Sequence, residues 1–151
     1  MTQTREAVHR DPVWRERADF IIAASIDPGA TDVTTEQLWA RREGDHYEIC
    51  CIPFFVHDLA LGDLVEVDAD HMVTQVATRS GRYVFRIHFG EPDQPRDEVM
   101  ERLDALGALA EWSSHSLVAV DARDQSHAQL VADFLQEQED AGHLLYETGK
   151  R

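Results

Sequence analysis

Two cysteines, Cys50 and Cys51, stand side by side in this chain of 151 residues. Neighbouring side chains on a strand point to opposite faces, so the pair cannot chelate one metal ion in the ordinary way, and a bridge between them would be strained. A disulfide scaffold is excluded, and the two read as small hydrophobes, at least one of them in the core. Glycine is sparse at 8 residues, with no G-x-G-x-x-G and no G-x-x-x-x-G-K-[ST], which removes the common phosphate-cradling loops. No apolar run approaches the roughly 18 residues of a membrane span. Arg5, Glu6, Arg10, Asp11, Arg15, Glu16, Arg17 and Asp19 occupy the place of a secretory apolar segment, so a cytoplasmic protein is expected.

Positive charge is also scarce. The net charge is -15, with 7 basic and 15 acidic side chains in residues 1–81 and 7 and 14 in residues 82–151. A field of that sign repels a phosphate backbone and leaves no basic arm, so neither nucleic acid nor an anionic membrane is expected as a partner. It would attract a basic protein, and it also favours solubility. A homodimer is compatible with all of this.

What is present is a change of apolar period along residues 82–147, in the order strand, helix, strand, strand, helix, strand. Tyr83, Phe85, Ile87 and Phe89 alternate with Arg86 and His88, giving one buried and one open face. Val99, Leu103 and Leu106 recur at helical spacing behind Gln94-Pro95, read as N-cap and first helical residue, and Gly107 closes the helix. Strands at 109–113 and 117–121 are followed by a helix capped by Asp124, carrying Leu130, Val131, Phe134 and Leu135, and ended by Gly142; residues 143–147 close the sheet. The order is that of a ferredoxin-like βαββαβ unit. Its outer face, with Arg86, His88, Glu111 and Ala119, is expected to be open and polar.

Residues 1–17 read as a polar segment that orders by docking Trp14. Residues 18–26 read as a strand buried on both faces, and residues 27–35 as a turn-rich loop. Strands are expected at 37–42, 47–52, 64–68 and 72–78, the first pair joined through Glu43-Gly44-Asp45. The expected fold is therefore α+β: a small bent sheet or partial barrel in residues 1–81, packed on the ferredoxin-like unit of residues 82–151 in one compact body.

Eight histidines are scattered without H-x-H, H-x-x-x-H or H-E-x-x-H spacing, so neither a metal nor any other cofactor is implied. Ser80 and Ser113-Ser114-His115 lack a nucleophile elbow. Phe54 and Phe55 follow Pro53 and cannot both face one core, so one fills the seam between the halves or lines a pocket there. His57 lies at that apolar rim, where an imidazole can act as a base, and Arg86 and His88 project from the outer face. Phe54, Phe55, His57, Arg86 and His88 are therefore the candidate surface for a ligand or partner. No catalytic constellation is assembled by sequence spacing.

Several stretches together resemble the bacterial DUF4265 family. They are residues 9–20, Ile52-Pro53-Phe54-Phe55 with Leu59-Ala60-Leu61-Gly62-Asp63, Arg79-Ser80-Gly81-Arg82, and residues 140–147. The resemblance implies similar size and domain limits and, since the family has no assigned activity, carries over no catalytic residue. The leading expectation is a binding module that recognises a basic protein. A small-molecule sensor similar to ACT-type domains is the second, and an enzyme with a site at the seam the third.

Overall fold

The computed structural model describes residues 5–26 and 33–149. Most of the turn-rich loop expected at 27–35, and the basic pair Lys150 and Arg151, lie outside the described residues; residues 33–35 belong to a strand.

Among the described residues ten strands form two sheets, accompanied by two α-helices and one short 3-10 helix. The first is organised by the long β3 (Val33–Glu43), on which Glu36, Leu38 and Ala40 point inward at every second residue. β2 (Phe20–Ser25) pairs antiparallel along one edge of β3. Along the other edge β1 (Arg5–Ala7) pairs parallel, and further on β4 (His46–Ile49) pairs antiparallel. β5 (Leu64–Val67) and β6 (Val73–Thr78) continue the order β3-β4-β5-β6. The sheet curls far enough that Met72, just before β6, bridges Ala23 of β2. β2 is therefore not covered on both faces as its composition suggested: Ile21 is 47% exposed while Ile22 and Ala24 are buried, because only one side of the curl is filled.

The second sheet has the order β10-β7-β9-β8, antiparallel throughout, from β7 (Tyr83–His88), β8 (Leu109–Trp112), β9 (Leu117–Ala122) and β10 (Leu145–Thr148). α1 (Arg96–Ala105) and α2 (Gln125–Asp140) contribute Val99, Leu103, Val131, Phe134 and Leu135 to a core shared with Phe85, Ile87, Val118 and Val120. Pro95 takes the N-cap of α1, one residue outside its expected place. The Asp124 side chain caps α2 by accepting from His127 N, and Gly107 and Gly142 end the helices at φ of 84° and 78°. Among the described residues no helix is long and apolar enough to cross a membrane.

The sheet face turned away from the helices is not open. Val84, Arg86, Glu111 and Ala119 are buried there, because residues 52–61 of the first half lie across them. Ile52, Phe54, Ala60 and Leu61 form a common cluster with Val84 and Ala119. Alternation along β7 showed correctly which side chains share a face, but not that a distant loop covers it.

Gly62 turns this covering segment at φ 84°, where a Cβ would meet the Ser80 Cβ at 3.1 Å and the Trp14 ring at 3.5 Å. Gly62→Ala is expected to lower stability by about 1–3 kcal/mol through left-handed strain and crowding. Urea denaturation measures it, and an unchanged midpoint would contradict the close approach.

A candidate ligand hollow between the two sheets

Burying a carboxylate costs several kcal/mol unless its oxygens are fully hydrogen-bonded, and the loop over the second sheet is held by carboxylates that meet this condition. Glu36, inward on β3, accepts from Phe54 N at 2.7 Å, Phe55 N at 2.9 Å and Val56 N at 3.1 Å. Glu111, inward on β8, accepts from Ile52 N at 2.5 Å. His9 joins the two: Nε2 donates to Glu36 at 2.6 Å and Nδ1 to Glu111 at 2.8 Å, while the ring stacks on Phe54 at 4.0 Å. Burial works against the imidazolium, yet hydrogen bonding with Cys51, Glu111 and Glu36 outweighs it and pushes His9 up to about 12. Two further buried carboxylates work in the same way. Asp63 accepts from Ala60 N and Ser80 N, and Asp121 takes a forked contact from Arg82, whose guanidinium also lies over the Trp14 ring at 5.3 Å. Burial raises Asp121 above the ordinary carboxylate value, and Arg82 pulls it back.

The loop fixed in this way does not fill the whole seam. Beside it remains a hollow of about 550 Å³, within the size range of ligand sites. Ile26, Phe54, Phe55 and His57 wall it from the first half; Arg86 and His88 of β7, Ser114, Ser116 and Leu117 around the β8–β9 turn, and Leu145, Tyr146 and Glu147 of β10 wall it from the second. The five residues singled out in the sequence thus lie around one cavity. Phe54 is the seam filler, with 1% of its surface exposed, whereas Phe55 and His57 are half-buried and His88 is exposed. His57, Arg86, His88 and Glu147 share these walls.

The residues now match a family over most of their length. Residues 36–146 fit the family described as "Domain of unknown function (DUF4265)". The chain belongs to the DUF4265 family. Its fold is similar to that of one solved structure, "Novel crystal structure of a hypothetical protein from Neisseria gonorrhoeae", with TM-score 0.73 and 17% identity over 87% of this chain and 96% of that one. At that identity the likeness shows the fold alone. No curated protein matches.

In this DUF4265 chain Arg86 is the unusual member of the cavity wall. It is 3% exposed, so burial draws its guanidinium down from the ordinary arginine value, with Glu36 and Glu147 acting in the opposite direction. Nη2 donates to Val56 O at 2.5 Å, Nη1 lies 3.9 Å from the Glu147 carboxylate, and Nε has no partner among the described residues. Gly149 makes this packing possible, since a Cβ there would come within 3.1 Å of the guanidinium carbon. Among the described residues no three His, Cys, Asp or Glu side chains are disposed to hold a metal ion. Sequence reasoning placed Glu111 on the outer face but missed the part that it, His9 and Glu36 play in holding the loop. The available signal was a glutamate in phase with Leu38 and Ala40 on the inward face of β3.

Proposed function

We propose that the chain is a small-molecule-binding module whose ligand occupies the hollow between the two sheets. The observation that carries this reading is a cavity of about 550 Å³ walled by both halves and bordered by a buried, incompletely paired arginine. Its walls combine apolar area from Phe54, Phe55, Leu117 and Leu145 with a few polar groups, the usual make-up of a ligand site. We read residues 82–149 as ferredoxin-like, supported by the strand order β10-β7-β9-β8 with two helices on one face. We read the first half as a partial barrel, supported by the Ala23–Met72 bridge. A cytoplasmic setting agrees with free thiols at Cys50 and Cys51.

Thermal-shift screening against metabolites tests the proposal. A ligand at a hundred times its dissociation constant is expected to add about 2.7 kcal/mol. Ser116→Trp, which projects an indole into the hollow, is expected to abolish that gain. A gain retained in the filled variant would place the ligand elsewhere and sink the reading.

A second reading, recognition of a basic protein, has its own support on the helical face. There Leu130, 56% exposed, lies beside Asp133 and Glu137 at a shallow hollow between α1 and α2. A partner captured from extract at low salt and released at high salt is expected, and lost on Leu130→Asp; capture insensitive to both would rule this face out.

A further inference from the structure

The hollow has a chemical bias that its size alone does not give. Arg86 is a cation almost wholly removed from water, and hydrogen bonds to a charged group are stronger than those between neutral groups, so an unused donor on it is costly. Its contact with Val56 O fixes the guanidinium plane, while Nε has no acceptor among the described residues. The carboxylate nearest in the cavity wall, Glu147, stays 3.9 Å from Nη1, beyond hydrogen-bonding distance, and its side chain is 64% exposed. Glu36, which also acts on Arg86, already has its oxygens occupied by His9 and three backbone amides. A planar guanidinium whose Nε lacks an acceptor among the described residues and whose Nη1 has only a long contact suits a planar carboxylate.

We infer that the ligand of the hollow is a small organic acid, its carboxylate taking the place of Glu147 beside Arg86 and its apolar body lying against Phe55, Leu117 and Leu145. This inference rests on the hollow being the ligand site. Glu147 acts as a placeholder: it partly offsets the buried cation when the hollow is empty and swings into solvent when an acid arrives. His57 and His88 on the same walls add donors rather than competing negative charge. The net charge of -15 repels anions at long range, but that field is screened within about 8 Å at physiological ionic strength, whereas the buried guanidinium acts at contact. Acid binding is therefore expected to persist in moderate salt.

Calorimetric titration of the full chain with phenylacetate and hexanoate, and with their neutral amides and inorganic phosphate, tests this. The acids are expected to bind about tenfold or more tighter than the amides. Glu147→Gln is expected to tighten the acids several-fold and leave the amides unchanged, and it does so without disturbing a buried group. Acids and amides of equal affinity, or acid affinity indifferent to Glu147→Gln, would overturn the carboxylate assignment while leaving the hollow a ligand site. Phosphate bound in preference to both acids would overturn it as well. No binding of acid or amide up to millimolar concentration would overturn the hollow as the site and this inference with it.

Discussion

Glu36→Gln is expected to destabilise the chain by roughly 3–5 kcal/mol, a large share of the stability of a domain this size. The substitution keeps the shape and removes the charge, so the cost arises from unmatched partners. Three backbone amides, from Phe54, Phe55 and Val56, and His9 Nε2 all donate to the carboxylate. A carboxamide presents one acceptor and one donor to these four donors, so at least one N–H faces another N–H in a site where Glu36 is fully buried. Denaturant titration of the two proteins gives the difference directly. Glu48→Gln is the matched control, because the partner of Glu48 is Arg17 at the surface, and it is expected to leave the midpoint almost unchanged. A Glu36→Gln midpoint as little changed as the control would mean that the carboxylate does not hold the loop. The variant should also weaken any ligand of the hollow, since the amides released are those of Phe54, Phe55 and Val56.

The position of these pins explains what the sequence could reveal. Elements of the second half were legible because each declares itself locally: alternation in β7, a short apolar run in β9, Asp124 before α2, and a glycine with positive φ after each helix. The hairpin between β3 and β4 was equally local, with Gly44 at φ 61°. The closure of the two sheets on each other was not local. His9 is 27 residues from Glu36 and 102 from Glu111, and the energy of that triad has no trace in any short window except a glutamate placed in an apolar phase. The motifs behind the family resemblance are the same seam seen piecewise. His9 stacks on Phe54 of Ile52-Pro53-Phe54-Phe55, Asp63 of Gly62-Asp63 accepts from Ser80 of Arg79-Ser80-Gly81-Arg82, and Arg82, paired with Asp121 of the second sheet, lies over the Trp14 ring. The five candidate residues meet at the hollow for a similar reason: β4 ends at Ile49, short of the strand expected over 47–52, and the segment that follows lays the aromatic pair against the outward-phase residues of β7. Ser114, Ser116 and Glu147 were not legible, because polar residues in a turn and at a sheet edge look the same whether they border a cavity or solvent.

Stability is expected to fall as pH rises from about 6.5 toward 12, at a rate approaching 1.4 kcal/mol per unit, about that of one proton. His9 in the folded chain is pushed up to about 12 from an ordinary 6.5 and so keeps a proton that the unfolded chain gives up. A raised folded-state value means that the stabilisation is complete below the unfolded value and disappears as pH climbs through the folded one. Cys50, which burial pushes up to about 12 from 9.0, acts in the same direction but only above about 9, where an unfolded thiol begins to ionise. The interval from about 6.5 to 9 therefore belongs to His9, and denaturation midpoints taken across it isolate the imidazolium. His9→Gln should be less stable at the low end of the interval and nearly flat across it, since glutamine cannot carry the charge that pairs with Glu36 and Glu111. A wild-type midpoint that stays level through the interval would mean that His9 is neutral in the folded chain, and the two carboxylates would then need another source of compensation. Because this one ring ties β3, β8 and the aromatic loop together and keeps its proton in the folded chain, the wall of the hollow is expected to stay intact across the interval while only the balance against the unfolded chain shifts.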